Sequence, residues 1–146
     1  EVWLGSDLIY KAEKMLVGDG INLLGTTYYS IADYGEAAFL HSGGIKALDN
    51  GYYQLSGGVA NNWGNFNIGF NGSISSEDYE YLKLTYTVTS SNISSCWMNG
   101  QNLILSPLNQ ERELLIPTNG EDVSVRFSAV CHANTSIAII FKVTLE

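Results

Sequence analysis

The sequence has few of the residues on which several large classes of function depend. Its 146 residues include two histidines, two cysteines and seven lysines and arginines, against fifteen aspartates and glutamates. With only His41 and His132 available, a multi-histidine metal site is excluded. The net charge of −8 and the scattered basic residues argue against a nucleic-acid partner and against polyanionic ligands. No apolar run approaches the roughly 20 residues of a membrane-spanning helix, so no membrane insertion is expected.

Sequence motifs of catalysis are also missing. The chain has no G-x-S-x-G elbow, no P-loop, no dinucleotide fingerprint and no H-E-x-x-H pair. Glu77, Asp78 and Glu80 form a local acidic cluster. The two carboxyl groups of a glycosidase instead flank a cleft from separate elements, roughly 5–9 Å apart. We interpret the cluster as a solvated turn and expect a protein without catalytic residues, with a small hydrolase or lyase as the least favoured alternative.

No cofactor is expected, and no residue is assigned as a metal ligand. A structural calcium ion is compatible with Asp33, Asp49 or Asp122 together with backbone carbonyls, although no loop has the EF-hand spacing. Cys96 and Cys131 are compatible with one disulfide between neighbouring strands and equally with two buried thiols, and the sequence favours neither.

The polar part of the composition indicates the location of the protein. Charged residues make up only 15% of the chain, and serine, threonine, asparagine and glycine take their place. This polar but weakly charged composition is common in extracellular and virion proteins, so we expect one of those locations. The chain has no initiator methionine and no signal peptide, which indicates a mature product or a fragment.

Alternation of apolar and polar residues predicts an all-β fold. In the clearest strand, Tyr81 to Thr89, Leu82, Leu84, Tyr86 and Val88 alternate with polar residues. Shorter strands are predicted at Tyr28–Ala32, Ala37–His41, Tyr52–Leu55, Phe66–Phe70, Ile93–Met98, Leu103–Leu105, Glu113–Ile116, Val123–Cys131 and Ile137–Leu145. Many short strands without a helix-length amphipathic segment predict one antiparallel β-sandwich.

The first 20 residues differ from this pattern. Val2 to Lys11 reads as a tight hairpin, and Lys11 to Leu16 is the one short stretch with a helical character, closed by a Gly-Asp-Gly turn. We therefore divide the chain into an N-terminal hairpin or connector, residues 1–20, and a β-sandwich, residues 21–146.

The stretch Gly51 to Phe70 combines aromatic rings, side-chain amides and glycines and carries no charge. Flat rings beside amide donors and acceptors suit a sugar, which has an apolar C–H face and a ring of hydroxyl groups. The stretch and two more distant strands supply the predicted ligand-binding residues: Tyr53, Asn61, Asn62, Trp63, Asn65, Asn67, Trp97 and Arg126.

Alternation also assigns several of these side chains to one face. If Phe66, Ile68 and Phe70 are core residues, then the asparagines between them project outward. By the same parity Trp97 points outward between Cys96 and Met98, and Arg126 lies on the outward side of its strand. The alternative is that the tryptophans are core residues, because a slip of one residue or a bulge inverts every assignment.

Three segments resemble carbohydrate-binding modules of the jelly-roll type. They are NNWGNFNIGF (Asn61–Phe70), YEYLKLTYTVT (Tyr79–Thr89) and the closing IAIIFKVTL. The resemblance implies a jelly-roll β-sandwich that binds a glycan or polysaccharide without catalysis, commonly across the concave face of one sheet. A second resemblance, of VWLGSDLIYK (Val2–Lys11) to hairpins of bacteriophage tail and baseplate proteins, implies a virion module for host recognition. A module from a secreted bacterial glycanase is equally compatible.

The leading hypothesis is therefore a non-catalytic carbohydrate-binding module of a phage tail or secreted modular protein. The alternative is a structural or assembly domain of a virion or surface protein, with the aromatic residues in the subunit interface of a homo-oligomer.

Overall fold

Two antiparallel β-sheets make up the protein. The computed structural model describes residues 13–24, 28–33, 44–59, 64–131 and 134–146. These residues form twelve strands: β1 (Lys14–Gly18), β2 (Ile21–Asn22), β3 (Tyr28–Asp33), β4 (Gly44–Ala47), β5 (Tyr53–Val59), β6 (Gly64–Phe70), β7 (Tyr81–Ser91), β8 (Ser95–Met98), β9 (Gln101–Asn102), β10 (Glu111–Pro117), β11 (Arg126–Cys131) and β12 (Thr135–Leu145). No helix of the described residues is long and apolar enough to cross a membrane.

Sheet A is built around the two longest strands. In the order β10-β7-β12, β7 pairs with β10 on one side and with β12 on the other. The far side of β12 pairs with β5 over its first part and with β1 over its last part, and these carry β4 and β2 at their outer edges. Sheet B has the order β3-β6-β11-β8-β9. Every pairing in both sheets is antiparallel, as the sequence predicts.

The core lies between the two sheets and follows the predicted alternation. Leu82, Leu84, Tyr86 and Val88 of β7 are buried, as are the alternate residues of β12 from Ile137 to Leu145. Burial of each such side chain is worth about 1.5–3 kcal/mol relative to exposure. Phe127 of β11 is fully buried and meets Phe141 of β12 edge to face. The apolar faces of the two sheets therefore pack against each other.

The segment expected to be helical is a strand. Lys14–Gly18 forms β1, which pairs with the end of β12, and Leu16 and Val17 are fully buried in the core. The prediction for Lys11–Leu16 was wrong at residues 14–16 because a pairing partner more than a hundred residues away overrides a weak local propensity. The sandwich thus begins no later than Lys14. Residues 1–12 lie outside the described residues, and their separation as a connector stays a prediction.

A second correction concerns the segment after β8. Leu103–Leu105 was predicted as a strand, but the partner of β8 is Gln101–Asn102. The cause is the Asn99-Gly100 turn, in which both residues have positive φ (48° and 81°). This is the two-residue hairpin turn that such a dipeptide favours, and it places Trp97 opposite Asn102.

Two other sequence predictions involve residues outside the described part of the chain. The predicted strand Ala37–His41 lies there entirely. Cys96 is buried on the inner side of β8, while the side chain of Cys131 is outside the description, so the choice between disulfide and thiols stays open.

Candidate functional site

A row of three side chains crosses the outer face of sheet B. Ser128 of β11 is the direct cross-strand partner of Trp97 on β8 and of Asn67 on β6. All three are half-buried, whereas their neighbours along each strand, among them Phe127 and Ile68, are buried in the core. Because strands of a sheet lie about 4.8 Å apart, the row spans about 10 Å. We call it the Trp97 row.

The outward parity predicted from the sequence is confirmed for the described side chains of this face. Trp97, Asn67 and Arg126 lie on the same side of sheet B, and no slip of one residue occurs between β6, β11 and β8. The role of these residues as ligand contacts stays a prediction.

Arg126 lies on the central strand of the row, two positions from Ser128 along β11, and opposite Gly69 of β6. It is exposed, and a Cβ atom at Gly69 would come within 3.2 Å of its Cγ. The same Cβ atom would come within 2.6 Å of the Val125 carbonyl oxygen, so β6 and the start of β11 approach closely here because residue 69 is glycine. Arg126 is also the one charged residue in the sequences of β6, β8 and β11.

Asn99 fastens the strand of Trp97 to its neighbour. Its Nδ2 donates a hydrogen bond to the Ser124 carbonyl (2.7 Å), and its Oδ1 accepts one from the Arg126 backbone N–H (2.9 Å). Its own backbone N–H donates to the Arg126 carbonyl (2.8 Å). These bonds join the β8–β9 turn to the start of β11, so the backbone beneath Trp97 is held on both sides.

The structure does not bring all the predicted site residues together. Tyr53 lies on sheet A, opposite Phe141, with its ring centroid 6.4 Å from that of Phe141 and its side chain partly covered by the core. It is therefore on the far side of the core from the Trp97 row. The backbone of Asn65 pairs with Val130 and Asp33, two positions along β6 from Asn67. Asn61, Asn62 and Trp63 lie outside the described residues.

A depression on the outer face of sheet A was not predicted as a site. It has a volume of about 190 Å³, and its lining includes Tyr52, Thr87, Glu111 and Ile140. Tyr52 was predicted as the first residue of the strand Tyr52–Leu55. Instead Tyr52 precedes β5, and its ring lies 5.5 Å from the Lys142 Nζ on the outer face. The sequence did contain a signal for this outer face, because the alternation of β7 points its threonines away from the core.

A larger hollow of about 580 Å³ lies beside the start of β7 and is lined by Glu77, Asp78 and Glu80 together with the Asn119-Gly120 turn. All three carboxylates are exposed, which agrees with a solvated turn. The part of the chain that the structure describes contains no group of three or more histidine, cysteine, aspartate or glutamate residues able to hold a metal ion. The prediction that calcium could bind through Asp33, Asp49 or Asp122 stays untested.

Comparison with known proteins identifies the fold. No protein-family model matches the chain, and no curated protein matches it. Among solved structures it is similar to a family 11 carbohydrate-binding module from Clostridium thermocellum in complex with a β-1,3-1,4-mixed-linked tetrasaccharide. The TM-score is 0.53 at 15% identity, and the match covers 91% of this chain and 94% of the module.

A low-affinity xylan-binding module, CBM86 from Roseburia intestinalis, is more distant. Its TM-score is 0.38 at 12% identity over 83% of this chain and 96% of that module. The first likeness extends over nearly the whole of both chains and is one of fold. The protein is an all-β antiparallel sandwich of the jelly-roll type, as the sequence predicts.

Proposed function

We propose that the protein is a non-catalytic carbohydrate-binding module and that the Trp97 row forms part of its binding face. The observation that carries the proposal is the direct alignment of Trp97, Ser128 and Asn67 across three neighbouring strands. An aromatic ring, a small hydroxyl side chain and an amide in one line match the groups of a sugar. Glycan or polysaccharide is accordingly the proposed partner.

Each side chain of the row, and the neighbouring Arg126, has a distinct role in this proposal. The indole of Trp97 stacks on the apolar C–H face of one sugar ring. The amide of Asn67 offers both donors and an acceptor to hydroxyl groups, and the guanidinium of Arg126 offers a planar set of donors. Ser128, short and central, leaves room for the ring between its two larger neighbours. The scarcity of charge on β6, β8 and β11 favours a neutral glycan.

The backbone of β8, which carries Trp97, is rigid, and this supports a binding role for the row. β8 is paired on one side with β11 and on the other with β9, and Asn99 ties its turn to β11. The backbone of such a strand loses little conformational freedom when a ligand binds, and binding is stronger for that reason.

The fold likeness supports the class of function and does not assign the site. The module from Clostridium thermocellum carries a tetrasaccharide, and this chain matches it over most of its length. The identity of 15% is too low to transfer a contact residue by residue.

Affinity electrophoresis and calorimetry with soluble mixed-linkage β-glucan and xylan test the proposal. Trp97→Ala should weaken binding at least about tenfold, equivalent to about 1.4 kcal/mol, and Trp97→Phe should keep part of the affinity. Tyr81→Ala removes an exposed ring from the other sheet and is the matched control. Thermal melting verifies that each variant is folded. Unchanged binding by a folded Trp97→Ala variant would contradict the role of the row.

The setting of the module remains a prediction. The segment with the bacteriophage resemblance, Val2–Lys11, lies outside the described residues, and so do most residues of the predicted connector. An extracellular or virion location and a homo-oligomer in a virion follow only from the sequence argument. Mass measurement by light scattering tests the homo-oligomer directly.

A further inference from the structure

We propose that the depression on the outer face of sheet A is a second carbohydrate contact, which takes one neutral pyranose unit. It goes beyond the function proposed above, because its residues lie on the other sheet, across the core from the Trp97 row. It depends on the chemistry of its own lining and not on the role of Trp97.

Two neighbouring rows of side chains build this pocket. The first runs from Glu113 through Thr85 to Lys142, beyond which lies Tyr52. The second runs from Glu111 through Thr87 and Ile140 to Gln54. From these rows Thr85, Thr87, Glu111 and Ile140 line the depression, together with Asn50, Tyr52 and Tyr86. Its volume of about 190 Å³ is below the roughly 300 Å³ at which pockets for drug-sized ligands begin. This is room for one ring and not for an oligosaccharide.

The lining divides into apolar and polar parts as a sugar ring requires. Tyr52 and Ile140 offer apolar surface to the C–H groups of the ring. The hydroxyl of Thr87, the amide of Asn50 and the carboxylate of Glu111 offer donors and acceptors to its hydroxyl groups. Thr85 faces outward and yet is only 4% exposed, so the middle of this face is recessed beneath its rim.

The rim that carries Tyr52 is held in place before any ligand arrives. The Tyr52 backbone N–H donates to the Asn50 Oδ1 (3.1 Å), and its carbonyl accepts from the Leu48 N–H (2.8 Å). Gly51 has a φ of +83°, and a Cβ atom there would come within 2.7 Å of the Asp19 Cα, so glycine is needed where the two turns meet. The Lys142 ammonium, 5.5 Å from the centroid of the Tyr52 ring, holds the ring itself. Such pre-organisation lowers the entropic cost of binding a small ligand.

The charges around the pocket select a neutral sugar. Among the residues that line the depression, the one charged side chain is the carboxylate of Glu111. Outside the lining, Glu113 and Lys142 lie in the first row, and Lys46 lies beyond Gln54 in the second. The chain as a whole carries a net charge of −8. A uronic acid would therefore meet net repulsion, whereas a neutral hexose would not.

The test is a titration of the ¹⁵N-labelled protein with methyl glycosides of glucose, galactose, mannose and glucuronic acid, followed by amide chemical shifts. We expect at least one neutral glycoside to shift the amides of Tyr52, Thr87 and Ile140, and methyl glucuronide to bind at least about tenfold more weakly. Tyr52→Ala should abolish these shifts. Tyr52→Phe should keep them, and Tyr81→Ala, at an exposed tyrosine of the same sheet, should leave them unchanged. Thr87→Val, which keeps the shape of the side chain, should weaken binding by removing one hydroxyl group and serves as the second variant if Tyr52→Ala does not fold.

The outcomes separate this proposal from the previous one. Shifts confined to the amides of Trp97 and Ser128, or the absence of shifts with every glycoside, would overturn the second site, whatever polysaccharide binding shows. Stronger binding of the glucuronide than of the neutral glycosides would also overturn it. Shifts at Tyr52 that persist in a Trp97→Ala variant lacking polysaccharide binding would support two separate contacts. If Trp97→Ala leaves polysaccharide binding intact, the Trp97 row fails and the pocket at Tyr52 stands.

Discussion

Phe127 of β11 and Phe141 of β12 meet edge to face across the core, with ring centroids 5.0 Å apart and ring planes inclined by 61°. The next residue on each strand turns to the opposite side, because successive side chains alternate. Ser128 therefore belongs to the outer face of sheet B and Lys142 to that of sheet A. The two rings thus pack in the core directly beneath both candidate binding faces.

Loss of the Phe127 ring should destabilise the fold strongly. Phe127→Ala is expected to lower the free energy of unfolding by about 3–5 kcal/mol, because it removes a fully buried ring and leaves a cavity. Urea unfolding measures the change. Leu115→Ala, at a side chain 48% exposed on β10, is the control and should stay within about 0.5 kcal/mol of the wild type. Equal effects of the two substitutions would show that the ring contact is not central to the core.

Asn99 should contribute more to stability than the asparagine of a second turn with the same sequence. Asn99→Ala removes two side-chain hydrogen bonds, to Ser124 and Arg126, and places alanine at a φ of +48°. We expect a loss of about 3–4 kcal/mol, from about 1 kcal/mol for each of the two bonds and about 1–2 kcal/mol of backbone strain.

Asn119 provides the matched control for this prediction. It also precedes a glycine and has a φ of +54°, but its side chain makes no hydrogen bond with the described residues. Asn119→Ala should therefore cost only the strain, about 1–2 kcal/mol. If both variants unfold at the same urea concentration, the bonds of Asn99 do not hold β8 to β11.

The ion pair of Glu13 should make stability depend on pH in the acid range. Lys83 Nζ lies 2.8 Å from Glu13 Oε1, and this hydrogen bond lowers the pKa of Glu13 below its ordinary value of 4.5. Its contribution to stability is therefore present above pH 4.5 and is lost as the pH falls through the lower pKa of the folded state. Because Glu13 is 42% exposed, solvent screening limits the contribution at pH 7 to about 0.2–1 kcal/mol.

Urea unfolding of Glu13→Gln across the acid range tests this dependence. The variant should be less stable than the wild type at neutral pH, and the difference should vanish once the carboxyl group of the wild type is protonated. Glu77→Gln, the same substitution on an exposed turn, controls for the general loss of charge. A difference that grows as the pH falls would have the wrong sign. On the alkaline side, the same hydrogen bond raises the pKa of Lys83 above 10.5, so its contribution is lost only as the pH rises through that higher value.

A longer side chain at Ser128 should block the Trp97 row without harming the fold. Ser128 lies between Trp97 and Asn67, and Ser128→Gln would fill the space that the proposed sugar ring occupies. We expect glycan affinity to fall at least about tenfold while the melting temperature stays unchanged. Ser90→Gln, at an exposed position of β7, is the control. Full affinity of Ser128→Gln would mean that the ligand does not cross the row.

Much of the outer face of sheet B could be predicted from the sequence, since the direction of a side chain in a strand is a local property. Because Cys96 and Met98 are buried, Trp97 between them must point outward. Because Phe127 is buried, its neighbours Ser128 and Arg126 must point outward as well. The apolar alternation of β7 and β12 likewise predicted the two central strands of sheet A.

Pairing partners are not local, and predictions that depended on them were wrong. Lys14–Gly18 has little strand character of its own and becomes β1 because β12 offers it an edge. The directions of the Tyr52 and Tyr53 side chains depend on the same kind of pairing. The register with β12 sets Tyr53 opposite Phe141 on the inner side and leaves Tyr52 beside Lys142 on the outer side.

The class of fold, the core residues of β7 and β12 and the outward direction of Trp97 could be predicted from the sequence, because each follows from residues close together in the chain. Which side chains become neighbours depends on the tertiary structure. It aligned Trp97, Ser128 and Asn67 from three strands, and it formed the pocket at Tyr52 from residues of sheet A far apart in sequence. The physical reason is that strand order and register depend on how the two sheets bury their apolar faces together, and a local period of two residues carries no information about the partner strand.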